Sequence, residues 1–591
     1  MAPIMPIIRK RKEYIDLLKM KKSFILITSL LMQVAVLNTT YAQKAHEYSF
    51  DESFGVRSAL TYLPDGLTGK GVLVGVIDQG IDFSHINFLD PNTLQTRVKY
   101  ACTFGGEKYS EARTPEDIAK LVPYNTIEHG THVAGIAAGS YAADGWHGIA
   151  SEASLLLADM DLKDDAITQS IKNIFAAADS LDMPLVLNMS IAPQGLPSPS
   201  KFYDGYHAQN LLCEELTANG TKPGRIIVVS SANNTGYTSS FATNSAKIIR
   251  TYSEATIGAE GKERFILQHT LDDEEGNSAL TLSFKAQKQS SLDIRFFLYD
   301  TINKKEVTTG ALDDFGAPVD FSSVAKNALE IEEDGYFTEY SIVSWLMFKY
   351  DKDIVPCCEI IGAEGTELRF IKDVISTDDD YFTPSHLIYD GYPNRLAMTP
   401  AVISVGNCDP HQEGWPLRQT SSFGVNKEGG KIPDVVAPGS GIISSGRYYN
   451  PDDNNHIYGQ REVTMADGST QAINWLAMSG TSQAAPLVTG LCALMLEYDP
   501  TLTAERIREL LHNTNDWTEA CDNAPMCPDQ AGNGILNTKA LFEALMGVTA
   551  IEAINDAACE STLYDLYGNR LKQVPAQGFY IGNGGKKYIR L

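Results

Sequence analysis

The sequence predicts a doubly wound α/β fold, a parallel sheet with helices on its faces, carrying an inserted antiparallel β-sandwich and a short C-terminal β module. Three observations carry this. Residues 69–78 (GKGVLVGVID), 185–192 (LVLNMSIA) and 225–230 (RIIVVS) hold the nearly continuous apolar runs of strands buried on both faces. Residues 167–180 have helical spacing. Between 240 and 390 the pattern becomes alternation: Leu280, Leu282, Phe284 and Ala286, then Leu292, Ile294, Phe296 and Leu298, with acidic turns such as 272–276.

The bulk numbers narrow the class. A chain of 591 residues has room for one large domain and one or two smaller modules, and 43% hydrophobic content is enough for a sizeable core. A formal net charge of −26 argues against nucleic acid or an anionic membrane as the partner, and says nothing about a reaction. Nine cysteines leave at least one without an intramolecular partner. Cys521 and Cys527 bracket a short Pro-containing loop and are expected to pair in an oxidising compartment, whereas Cys492 reads as a small core residue. No Cys/His spacing suits a metal.

Along the chain, residues 20–42 (MKKSFILITSLLMQVAVLNTTYA) read as a secretory signal peptide: a basic pair, an apolar run too short to span a bilayer, and a small residue at Ala42. Met20 is then the expected start, with residues 1–19 an extension. No cysteine follows the cleavage site, so no lipid anchor is expected.

Asp78 ends the first apolar strand, where open α/β sheets place their sites. The plain alternative is a carboxylate capping the next turn. His129-Gly130-Thr131-His132 opens a stretch rich in small residues that lets a helix pack closely. Two histidines at i, i+3 suggest zinc, but the Glu and the i+4 spacing of a zincin are missing. Asn233-Asn234 follows a buried strand and would otherwise read as a turn. Ser482 follows Gly480-Thr481 and opens an apolar run, which sets its hydroxyl at a helix N-terminus where developing negative charge is favoured. Pro486 is expected in the first turn of that helix. A serine there is more often an N-cap than a nucleophile. The other three stretches reverse those odds.

In the order Asp, His, Asn, Ser, with the string HGTHVAG and the segment GTSQAAP, the chain resembles the subtilisin-like serine peptidases, the subtilases. The resemblance covers roughly residues 55–240 and 390–546. It implies Asp78, His129 and Ser482 as a catalytic triad. Aligning through Gly236 makes Asn234 the oxyanion donor and puts Asn233 where the family has Gly. Residues 188–192 resemble the segment that pairs with substrate backbone, so Ser190, Ile191 and Ala192 are expected to line the cleft, with Ser231, Ala232 and Asn233 at the specificity pocket. Gln79 stands where the family usually carries Thr or Ser, a change that bears on how the Asp78 carboxylate is held. The reaction requires no cofactor. Structural calcium is common in the family, but Asn87 replaces a frequent acidic ligand and no site is assigned.

The expected divisions are a leader (1–42), a catalytic domain in two parts (43–240 and 390–546), the insertion (241–389) and a C-terminal β module (547–591). Similar insertions occur in the Csp-type germination subtilases, and the C-terminal strands resemble modules of secreted Gram-negative proteins, some of which are type IX secretion signals. Too few residues separate Gln43 from Asp78 for a conventional folded pro-domain. The expectation is a secreted endopeptidase, periplasmic, cell-surface or extracellular in a Gram-negative-type cell, acting on proteins or peptides and without a stable membrane span. The competing reading is a catalytically weak or inactive binding protein on the same scaffold, against which all four catalytic positions are filled. An α/β-hydrolase esterase requires a Gly-x-Ser-x-Gly elbow and another residue order, and fails.

Overall fold

The computed structural model describes residues 63–547, apart from loops that include 141–146, 193–204, 234–236, 309–319, 371–380 and 447–456, together with four short strands between 563 and 590. The expected signal peptide lies outside the described residues.

The elements of the main sheet follow in chain order: β1 (Leu73–Asp78), β2 (Val98–Gly105), β3 (Lys108–Ala112), α1 (His129–Ala138), β4 (Ser154–Met160), α2 (Asp164–Leu181), β5 (Leu185–Met189), α3 (Ala208–Thr217) and β6 (Arg225–Ser230). After the insertion come β7 (Ile403–Cys408), β8 (Val435–Pro438), α4 (Thr481–Tyr498) and α5 (Ala504–Thr514). The strand order is β8-β7-β6-β5-β1-β4-β2-β3, parallel throughout except for the β2–β3 hairpin. The chain leaves β1 towards β4 and β2 on one side and occupies β5 to β8 on the other. This topological switch point opens a crevice at the carboxyl ends of β1 and β5, where doubly wound sheets bind their ligands.

Successive residues from Val72 through β1 explain its uninterrupted apolar run. Val72, Val74 and Val76 join the core beneath α1, α4 and α5, while Leu73 and Ile77 join the core beneath α2 and α3. Both faces are covered, so neither has to be polar. Burying each such side chain contributes roughly 1.5–3 kcal/mol.

The insertion forms two antiparallel sheets, one of them in the order 262–266, 354–361, 293–300, 305–307. They enclose a core of their own, with Phe265, Phe284, Phe296, Tyr340 and Phe370. The sandwich meets the catalytic part at Tyr206. Phe337 stands edge-on to its ring at 5.0 Å, Arg369 lies 5.2 Å from the ring centre and Lys427 4.7 Å. The C-terminal strands form a four-stranded antiparallel sheet.

One sequence expectation is corrected here. Cys521 is a free thiol, packed with Cys408, Leu417, Val436 and Ala531, so the disulfide to Cys527 is not formed. Among the described residues no helix is long and apolar enough to cross a membrane.

Candidate active site

Asp78 is the last residue of β1 and is 1% exposed. His129 is the first residue of α1, and its Nδ1 lies 2.7 Å from Asp78 Oδ1. What brings helix and strand so close is Gly130. A Cβ there would stand 2.5 Å from Ile81 Cγ1 and 3.0 Å from Asp78 Cβ, so a larger residue would lift the first turn off the strand end. The turn is tied down by Gly130 N donating to Gln79 O (2.7 Å) and Thr131 Oγ1 donating to Gly80 O (2.9 Å). His132, expected to be structural, donates from Nε2 to the carbonyls of Ile442 (3.1 Å) and Leu476 (2.9 Å). These belong to a β-hairpin extension the sequence reading did not find.

The Asp78 carboxylate is held asymmetrically. Oδ1 takes the histidine and the amide of Gln79 (2.7 Å), whereas Oδ2 is buried and has no hydrogen-bond partner among the described residues. The His129 ring is driven two ways: burial favours its neutral form, but the charge of Asp78 and its hydrogen bond outweigh this and raise the pKa above the ordinary histidine value.

Ser482 is the second residue of α4, 8% exposed. Pro486 is not in the first turn as expected; it is the sixth residue of the helix. Having no N–H, it leaves the carbonyl of Ser482 without its i+4 donor. Ser190 supplies the missing bond: its Oγ donates to Ser482 O at 2.8 Å, and Ser482 Oγ donates back to Ser190 O at 3.1 Å. Ser190 is itself held by Asn188 Nδ2 (3.0 Å), and Asn188 Oδ1 accepts from Thr489 Oγ1 (2.9 Å). A closed chain of bonds therefore fixes the end of β5 against the start of α4.

The remaining expected residues divide. Ile191 is 4% exposed and its carbonyl accepts from Asn394 Nδ2 (2.7 Å), while the same amide donates to Ser230 O (2.8 Å). Asn394, which the sequence reading missed, thus clamps the ends of β5 and β6. Ala192 is exposed and Ser231 fully buried. Asn234 lies outside the described residues. Ala232 has φ 79°, a conformation favouring glycine. Asn233, expected at the pocket wall, turns its Oδ1 to Thr481, accepting from the backbone N at 2.9 Å and from Oγ1 at 3.2 Å.

Around Asn87, which stands where the resemblance places a frequent acidic calcium ligand, a guanidinium takes the carbonyls. Arg97, 7% exposed, donates to Leu89 O (3.3 Å), Asn87 O (2.7 Å), Ala138 O (2.6 Å) and Ala153 O (2.5 Å). Burial lowers its pKa to about 10, which leaves it charged at neutral pH. These oxygens do not fit a bound calcium as well.

The model of the Subtilase family matches residues 69–332 and 383–539. The chain is 34% identical over 127 residues to the serine protease AprX of Bacillus subtilis, covering 21% of this chain and 26% of that one. It is 28% identical over 181 residues to the subtilisin-like protease PopC of Myxococcus xanthus, covering 29% and 35%. The matches thus span about a quarter to a third of those relatives' lengths. Among solved structures, the Clostridium perfringens CspB protease aligns at 19% identity and TM-score 0.48, over 83% of this chain and 96% of that one. The family match covers more than half of the chain, which belongs to the subtilase family of peptidases.

Proposed function

We propose that the protein is a secreted serine endopeptidase acting on protein or peptide substrates. The observation that carries the reading is the Asp78–His129 pair at the carboxyl end of β1, with Ser482 at the start of α4 in the same fold. Ser482 Oγ attacks the scissile carbonyl. His129 takes its proton at Nε2 and returns it to the leaving amine, and Asp78 orients the ring and stabilises the imidazolium. For this the Ser482 hydroxyl turns from the Ser190 carbonyl to the imidazole, a tightening that apo sites commonly await substrate to make.

The oxyanion is stabilised by the backbone N–H of Ser482 and a side-chain amide. We assign that amide to Asn233 rather than Asn234. Ala232, with its positive φ, takes the place of the glycine in the family's Ala-Gly-Asn pattern, and the next residue is Asn233. Its Oδ1 is committed to Thr481, leaving Nδ2 as the donor beside Ser482. Extended substrate backbone pairs along Ser190, Ile191 and Ala192.

The test is hydrolysis of a quenched-fluorescent peptide library by the secreted protein and by Ser482→Ala and His129→Ala. Cleavage abolished in both variants supports the reading. Undiminished cleavage in either removes it, and a wild type that binds peptides without cutting them restores the binding-protein alternative.

A further inference from the structure

Asp159 lies in β4 directly across the sheet from Asp78, and its side chain is fully buried. Nothing in the triad uses it. Its oxygens accept three backbone amides from two different segments. Oδ1 takes Gly80 N at 2.5 Å, Oδ2 takes Tyr124 N, and the amide of Ile81 also bonds to the carboxylate. Gly80 and Ile81 belong to the turn after Asp78, and Tyr124 to the segment leading into His129. The two segments also touch directly: a Cβ on Gly80 would fall 1.5 Å from the Ile127 carbonyl oxygen. The turn in turn seats the first residues of α1, through Gln79 O to Gly130 N and Gly80 O to Thr131.

We propose that Asp159 is a positioning residue for the reaction: its carboxylate locks the turn carrying the acid to the segment carrying the base, and protonating it loosens both. The proposal rests on the serine-peptidase reading only for its kinetic arm. An ionised carboxylate accepts at both oxygens, whereas the neutral acid gives up acceptor capacity and gains a donor that faces amide N–H groups. The titratable groups facing it are Asp78 from β1 and Cys102 from β2, whose thiol burial pushes up to about 12. Neither supplies positive charge. Burial, only partly offset by the three amides, raises the Asp159 pKa to about 6. The lock therefore opens as the pH falls through about 6.

Two measurements test this on the full secreted chain. In the first, kcat/KM is followed from pH 8 to pH 4.5 for wild type and Asp159→Asn. The second proton should cost the wild type about tenfold on top of the first, so its acid limb on a logarithmic plot should be steeper than 1 around pH 6 before returning to 1. Asp159→Asn should show a slope near 1 and a plateau lowered about tenfold, because an amide offers one acceptor where two are needed. A wild-type slope of 1 throughout, or the steeper interval kept by Asp159→Asn, overturns the proposal. The second needs neither a variant nor activity: hydrogen–deuterium exchange of wild type at pH 7 and pH 5, corrected for intrinsic rates. Peptides spanning 79–82 and 121–128 should lose protection at pH 5 while those from α4 keep theirs. Unchanged protection in both segments also overturns it. A protein that hydrolyses nothing but shows this exchange pattern refutes the peptidase reading and leaves the lock standing.

Discussion

The two roles proposed for the Asn233 side chain can be separated by substitution. Its Oδ1 satisfies the buried Thr481 N–H, and its Nδ2 is assigned to the oxyanion. Asn233→Ala removes both. Losing one oxyanion donor costs about 100- to 1,000-fold in turnover, a size measured on subtilisin itself and equal to about 2.7–4 kcal/mol. Orphaning the Thr481 amide costs a further 1–3 kcal/mol, roughly, of stability. Asn233→Asp keeps the acceptor and replaces the donor with a second oxygen. Its melting temperature should therefore stay near wild type while kcat falls at least about 100-fold. Because the donor matters most once the carbonyl oxygen is charged, KM should change little. Steady-state kinetics on one peptide, with thermal melts of each variant, decide it. If Asn233→Asp retains kcat within a few-fold while Asn234→Ala loses it, the assignment belongs to Asn234 and the reasoning from Ala232 fails.

Three further outcomes follow from the charges. Since Asp78 raises the His129 pKa, the acid limb of kcat/KM should lie above the ordinary histidine value, and the residual activity of Asp78→Ala should show it moved down. Arg97→Met should destabilise the fold by about 3 kcal/mol or more in urea melts, because four carbonyl contacts lose a buried donor, while chelator should leave the wild-type midpoint unchanged. Asp434 is buried against Arg508 Nε (3.0 Å) and His512 Nε2 (3.0 Å); burial opposes its ionisation, but Arg508 and His512 outweigh this and hold its pKa low. A depressed folded pKa stabilises above the unfolded carboxylate value and loses that contribution as pH falls through the folded value. Asp434→Asn should therefore be less stable at pH 7 and show a flatter acid limb of stability.

The parallel sheet was legible because strands buried on both faces leave uninterrupted apolar runs, as in residues 73–78. The insertion was legible for the opposite reason, since each of its sheets faces a core on one side and Leu282, Phe284 and Ala286 alternate with polar residues. The expected triad positions stood out because Gly130 is imposed by close packing on Asp78, and Gly135 by close packing on Ser444 and Ser445. What stayed hidden was set by distant partners. Asp159 reads as one acid among 74 until its strand is paired with β1. Asn394 and Arg97 act on carbonyls, which carry no sequence signal. The asparagine register turns on a single choice: Gly236 as the landmark points to Asn234, whereas the positive φ of Ala232 favours Asn233. An alanine with positive φ cannot be recognised from its name.

The most direct test of the account is a fluorophosphonate probe, which reacts only with a serine activated for attack. Incubated with the purified full-length protein at pH 8 and digested, it should leave one adduct, on the peptide containing Ser482, and labelling should vanish in Ser482→Ala and fall sharply in His129→Ala. An adduct on another serine, or none on an intact and folded wild type, would contradict the assignment of Ser482 as the nucleophile.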